Sequence, residues 1–267
     1  MRKLVAALAC RNQGSRLYGK PMQHLDVERR VTILEHLLDV IHTIPVIHGA
    51  VLGISEGLAN AVFVEVAQRR GIGHIIGDQR DVLQRLIACG HQAQATDIFR
   101  VTTESPFFHY ALVMGAWHRH VEAGNDVTVT DGMPDGCNFE IYTLEALERS
   151  HRLGDSSHRS EFCSNYVREH LRDFTVEIMP IPPELERLDL RLTVDNPEDL
   201  MLCRRVYAHL RHKAPQIPVG DIIAFIDTHP QLQTLVAPYV VSKRLWVLPD
   251  QSLRWRAEEP PCPSRCL

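Results

Sequence analysis

The residue types best suited to chemistry gather in one loop. Arg11, Gly14, Arg16, Gly19 and Lys20 fall within a ten-residue stretch, with Asn12 and Ser15 among them. The apolar run Leu4–Cys10, of strand length, leads straight into it. Glycines let backbone N–H groups come close to an anion and the side chains offset its charge, so the loop suits a polyphosphate. The chain has four lysines in all, which makes one of them here informative. Gly14 to Lys20 reads G-x-x-x-x-G-K, the frame of a P-loop, but Pro21 follows where that motif has Ser or Thr. A P-loop needs that hydroxyl for its magnesium and a helix running on from the lysine. From the loop alone three readings stay open: an ATPase, a basic surface turn, and a nucleoside triphosphate site whose metal is held elsewhere.

Length and composition bound the rest. A chain of 267 residues with 45% hydrophobic content can build one large domain. Its formal charge of −4 argues against a general nucleic-acid binder. The seven cysteines are odd in number, and the first five sit in apolar contexts, as buried thiols of a reducing compartment would. Cys262 and Cys266 form one C-x-x-x-C pair without a second, which argues against zinc. With no secretory segment and no long apolar run, the expectation is a soluble cytoplasmic protein with no membrane partner.

The loop must be positioned by strands and helices. Strands are expected near Leu4–Cys10, Gly49–Ser55, His74–Gly77, Asp97–Thr102 and Asp126–Thr130. Amphipathic helices are expected between them near Val31–Thr43, Gly57–Arg70, Asp81–Ala93 and Phe107–Ala123. Such alternation predicts an α/β fold with a mostly parallel sheet covered on both faces. Ligands of these sheets sit at the carboxyl ends of the strands, where the Arg11–Lys20 loop emerges. From Gly132 the pattern changes. A strand at Asn138–Tyr142, helices at Thr143–Arg152 and Arg159–Arg172 and a strand at Thr175–Ile181 suggest an arm over about 132–182. Leu190–Asp195 reads as a strand ending in Asp195. Asn196, Pro197, Glu198 and Asp199 then suit a helix start. Val219–Thr228 makes another helix. The domain is read as 1–241, followed by a loose, Pro-rich tail over 242–267.

Four blocks in order resemble the cytidylyltransferases that activate sugar acids, the CMP-sialate and CMP-Kdo synthetases, with the spore-coat polysaccharide branch nearest. Cys10-Arg-Asn-Gln-Gly-Ser-Arg-Leu-Tyr-Gly-Lys20 resembles A-R-x-x-S-x-R-L-P-G-K. Gly77-Asp-Gln-Arg-Asp-Val-Leu83 resembles G-S-x-D-D-V-L, and Arg100-Val-Thr-Thr-Glu-Ser-Pro106 resembles R-x-T-G-D-x-P. Leu192-Thr-Val-Asp-Asn-Pro-Glu-Asp-Leu200 resembles L-T-x-D-x-P-E-D-L. The resemblance implies a Rossmann-like nucleotidyltransferase domain with a small antiparallel dimerisation arm, acting as a homodimer. It implies that Arg11, Arg16 and Lys20 grip the triphosphate of CTP and carry the catalysis. Asn12, Gly14, Ser15, Asp78, Arg80, Asp81, Thr102 and Thr103 would complete the nucleotide site. Glu104 and Asp195 would hold Mg²⁺, two oxygen ligands for a hard cation.

The same resemblance implies in-line attack by an anionic acceptor on the α-phosphorus of CTP. Asn138, Glu140, Arg159 and Glu161 would bind that acceptor. The acceptor positions depart most from the family. Ser160 stands for its arginine and Phe162 for its histidine, while Arg159 lies one residue early and offers a replacement cation. His158, beside it, is a further candidate. These changes suggest an unusual acceptor, smaller than a nine-carbon sugar acid, such as a carboxyphosphonate. The alternatives are a sugar-1-phosphate nucleotidyltransferase and a non-catalytic nucleotide-binding relative.

Overall fold

The computed structural model describes residues 2–14 and 16–247. Ser15 and the cysteines of the tail therefore lie outside the described residues. The chain runs β1 (Leu4–Cys10), β2 (His24–Asp26), β3 (Val31–Thr32), α1 (Ile33–His42), β4 (Ile47–Ser55), α2 (Ala61–Arg70), β5 (Gly73–Gly77), α3 (Val82–Gln92) and β6 (Asp97–Arg100). It continues with α4 (Val113–Ala123), β7 (Val127–Val129), β8 (Glu140–Thr143), α5 (Leu144–Leu153), α6 (Asn165–Glu169) and β9 (Val176–Ile178). It ends with α7 (Pro197–Leu210), α8 (Val219–Asp227) and α9 (Pro230–Val236).

Seven strands form one sheet in the order β5-β4-β1-β6-β8-β7-β9. β5, β4, β1 and β6 are mutually parallel, as the strand–helix alternation predicts. β1 shows why its sequence is an unbroken apolar run. Leu4, Ala6, Leu8 and Cys10 face one core with α1, α2 and α4, and Val5 and Ala7 face the other with α3 and α5. A strand covered on both faces has no polar side. A third core joins α7, α8 and α9 to the loops around Met133 and Leu190.

The helix starts are chemically specified. Thr32 and Glu35 form a capping box on α1, Asp81 caps α3 through the Gln84 N–H at 2.8 Å, and Thr143 caps α5. Asp199 accepts the Asn196 N–H at 2.8 Å and Pro197 opens α7, so the start read from Asn196-Pro-Glu-Asp forms.

Three expectations are corrected, and one is given its place: the antiparallel element expected within 132–182 is part of the main sheet. β8 lies antiparallel between β6 and β7, and β9 extends the main sheet parallel to β7. The separate antiparallel pair is β2–β3, which the sequence reading missed, and it packs on α7 through Arg204 Nε to the His24 carbonyl at 2.7 Å. The helix expected over Arg159–Arg172 shortens to α6, because Asp155 and Ser160 fold the chain before it into side-chain-bonded turns. Leu190–Asp195 makes no strand. It forms one bridge, Asp135 with Arg191, and then turns to another loop, where the Val194 N–H donates to the Glu104 carbonyl at 3.0 Å. A segment shared between two loops never builds a ladder. Trp246, expected in a loose tail, is 4% exposed and packed in the core.

Candidate functional site

The Arg11–Lys20 loop leaves the carboxyl end of β1. Asn12 fixes its start: its N–H donates to Asn60 Oδ1 at 2.8 Å, its amide nitrogen reaches the Ala59 carbonyl, and its own carbonyl accepts from the Gly19 N–H at 2.8 Å. The loop closes with Gly19 at φ +62°, a left-handed conformation that glycine takes without strain. Gly14 is obligatory for packing, since a Cβ there would lie 2.4 Å from the Leu17 carbonyl oxygen. Lys20, Pro21 and Met22 form a single 3-10 turn. No α-helix runs on from the lysine, so the P-loop reading fails on geometry as well as on Pro21.

Lys20 points to Asp195, with Nζ 2.5 Å from Oδ1. Arg16 approaches the same oxygen at 3.7 Å. The other Asp195 oxygen is held by Arg191 Nη2 at 2.5 Å. Arg191, 6% exposed, also donates to Asp135 at 2.6 Å and to Asp199 at 3.0 Å. Asp199 thus serves both the start of α7 and the aim of Asp195. Burial alone would raise the Asp195 carboxyl, but Lys20 and Arg191 outweigh it and hold it below the usual aspartate value.

Glu104 shares this cavity with Lys20 and Asp195. Burial pushes its carboxyl upward, Asp195 adds to that and Lys20 opposes it. Neither carboxylate ends a strand: β6 stops at Arg100 and Glu104 lies in the turn beyond it. Among the described residues no group of three or more His, Cys, Asp and Glu side chains is placed to hold a metal. Two converging carboxylates are nevertheless the usual protein share of a Mg²⁺ site completed by phosphate and water.

Two cavities adjoin here. One is lined by Asn12, Gln13, Val82, Arg85 and Thr103, the other by Gly14, Asn138, Glu140 and Asp195. Arg11, Lys20, Arg100, Thr102, Glu104 and Glu161 line both. Of the positions assigned from sequence to the nucleotide, Asn12 and Thr103 line the first cavity alone and Gly14 and Arg16 the second alone, while Asn138 and Glu140, assigned to the acceptor, line the second alone. Arg11 pairs with Glu161. Glu140 pairs with Arg100, its direct neighbour across β6 and β8. Asn138 Oδ1 is buried without a hydrogen-bond partner. Thr103 is tied down by its hydroxyl to the Ala9 carbonyl at 2.9 Å, and Thr102 to Ser105 at 2.6 Å.

Other candidates are not brought in. Asp78 accepts the N–H groups of Arg80 and Asp81 at 2.7 and 2.8 Å, and Asp81 also meets His151 at 2.8 Å. These three build the turn before α3 and line neither cavity. The Arg159 guanidinium donates to the His151 and Gly154 carbonyls at 3.1 and 3.3 Å, closing the end of α5 rather than facing an acceptor. His158 is held by Glu169 at 2.9 Å. The cations that line the second cavity besides Arg11, Arg16 and Lys20 are Arg100 and Arg168. Arg100 opens the third sequence block and could have been found there. Arg168, in a short helix, carries no local signal.

No family profile matches the chain. It is 22% identical over 238 residues to the spore coat polysaccharide biosynthesis protein SpsF of Bacillus subtilis, a match covering 88% of this chain and 98% of that protein. Among solved structures, a cytidylyltransferase from Leptospira borgpetersenii serovar Hardjo-bovis superposes with a TM-score of 0.77 at 20% identity, covering 87% of this chain and 97% of that one. The chain shares the fold of that enzyme. A CMP-Kdo synthetase complexed with CTP also matches, at TM-score 0.59 and 13% identity over 78% of this chain and 99% of that one. The likeness read from four sequence blocks thus extends over most of the fold.

Proposed function

We propose that the protein is a Mg²⁺-dependent cytidylyltransferase that moves CMP from CTP to an anionic acceptor oxygen and releases pyrophosphate. One observation carries the reading: the two cavities meet at Lys20 and Glu104, with Asp195 and Arg16 beside them. The likeness to a synthetase solved with CTP supports the choice of nucleotide.

Both reactants are anions, so rate must come from holding them together and offsetting developing charge. Arg11, Arg16 and Lys20 would bind the triphosphate. A phosphate oxygen would take the Lys20 ammonium from Asp195 and free an Asp195 oxygen for the cation. Glu104 and Asp195 would hold Mg²⁺, which supplies charge neutralisation on phosphate oxygens. Arg191 keeps Asp195 aimed and Lys20 stabilises the leaving pyrophosphate. A phosphonate or carboxylate acceptor needs no general base, since it is already ionised. The altered acceptor wall, with Phe162 58% exposed at the cavity, favours a small phosphonate over a long sugar acid.

The same reading makes the chain a cytoplasmic homodimer. Among the described residues five cysteines are free and buried, and β9 ends the sheet within the segment assigned to dimer contacts. Among the described residues no helix is long and apolar enough to cross a membrane.

Pyrophosphate release with CTP and Mg²⁺, scanned over sugar acids, phosphonates and sugar 1-phosphates, tests the function. Release with an acid or phosphonate is expected. Release only with sugar 1-phosphates favours the alternative transferase, and CTP binding without release favours a non-catalytic relative.

A further inference from the structure

Residues 244–247 follow the last helix and return to the site. Leu245 and Trp246 line the same cavity as Lys20, Asn138 and Asp195. This strap is fastened at several points. Asp131, 5% exposed, accepts the Trp246 N–H at 2.8 Å on one oxygen and the Gly132 and Leu245 N–H groups at 2.9 and 3.4 Å on the other. Such charge-assisted bonds are strong when water is excluded. Arg168 donates to the Leu245 carbonyl at 3.3 Å. Arg244 pairs with Glu186 and donates to the Asp131 carbonyl at 3.3 Å. Its guanidinium lies on Gly132, where a Cβ would come within 2.5 Å of Nη1. The indole of Trp246 is set in the core that includes Val129, Cys163 and Val167. It is built in as a wall and does not plug the cavity.

We infer that Leu245 and Trp246 form the wall that sets acceptor size and polarity, admitting short-bodied anions and rejecting long polyhydroxylated acids. This rests on the cytidylyl-transfer reading of the cavity. Lys20 and Arg16 stand at its charged end, and the strap with Phe162 makes an apolar flank. Hydroxyls of a sugar acid that fall against Leu245 and Phe162 would lose water without gaining a partner, whatever Asn138 and Arg168 offer elsewhere in the cavity. A small carboxyphosphonate keeps its charged groups on the cations and presents only a short alkyl body to Leu245 and Phe162, which Trp246 holds in place from the core.

Binding and turnover are read separately. Phosphonoacetate and 3-deoxy-D-manno-octulosonate are titrated calorimetrically into the full-length protein with Mg²⁺ and non-transferable α,β-methylene CTP. Wild type is expected to bind phosphonoacetate at least about tenfold more tightly, and Trp246→Ala to shrink that ratio about fivefold or more. Trp246→Phe should preserve the ratio, which a loss of folding or of nucleotide binding would not mimic. Leu245→Ala, at a half-exposed position, should shift it the same way and covers the case in which Trp246→Ala does not fold. An unchanged ratio in the folded alanine variants, a wild type that prefers the octulosonate, or a wild type that binds neither probe overturns the inference. Pyrophosphate release is scored alone: its absence with every acceptor removes the transfer reading and leaves the binding ratio to judge the wall.

Discussion

At the residue scale the site rests on two carboxyls pushed in opposite directions. Asp195 is held ionised by Lys20 and Arg191 against the effect of burial, while burial and Asp195 together push Glu104 upward. Lys20 pairs with Asp195 and opposes the rise at Glu104, and it is the proposed partner for an incoming phosphate. Lys20→Ala and Asp195→Ala should each lower kcat/KM for CTP-dependent pyrophosphate release by at least about tenfold, and by up to about a thousandfold if either acts in the transition state. The fold should survive Asp195→Ala, because Arg191 keeps Asp135 and Asp199 as partners, and circular dichroism checks this. Wild-type turnover in either variant would remove that residue from the chemistry. Lys20, Asp195 and Glu104 were legible from sequence because they sit in local motifs. Arg191 was legible only as part of a supposed strand: Asp195 and Asp199 follow it closely, but no local pattern says that it turns to them or that Asp135, 56 residues away, joins them.

At the element scale the irregular segment 190–195 does what a strand would do poorly. A strand end would present Asp195 from one fixed pleat, whereas this segment is stitched to two loops. The Leu192 N–H donates to the Asp135 carbonyl at 2.7 Å and the Val194 N–H to Glu104 at 3.0 Å. Gly136, at φ +93°, makes the approach possible. A Cβ there would lie 2.7 Å from the Thr193 nitrogen, and backbone cannot swing aside as a side chain can. Gly136→Ala should therefore cost about 2 kcal/mol, from strain and collision together, and lower Tm by roughly 4–8 °C in a thermal melt. An unaltered Tm would mean that the two segments do not need this contact. The helices α1 to α5 were readable to within a few residues, because caps and amphipathic spacing are local. Phe107–Ala123 began late because Tyr110–Leu112 form a 3-10 turn before α4.

At the scale of the whole molecule, pH couples to the packing between α1 and the C-terminal helices. His36 on α1 is 2% exposed, edge-on to Phe107 and Tyr207 at centroid distances of 5.9 and 5.2 Å. Burial pushes its imidazole down to about 4, with Asp39 opposing, from an ordinary 6.5. The unfolded chain therefore takes up a proton that the folded chain refuses. Stability is complete above pH 6.5 and falls as pH drops from there to about 4, by about 3 kcal/mol in all. His36→Leu should flatten that limb in urea titrations run across the range. A limb of unchanged slope would assign the acid sensitivity to other groups.

The sequence by itself determined the alternating strands and helices, the phosphate-type loop, the two candidate acids and the resemblance that joins them. Those are properties of short segments, set by periodicity, capping and motif spacing. The tertiary structure decided which of the candidates meet. It sent Arg159 and Asp81 to structural tasks, brought Arg100 and Arg168 to the cavity beside Asp195, and folded Trp246 back against Asp131. No local signal encodes such meetings, because a contact between residues 131 and 246 depends on the path of everything between them.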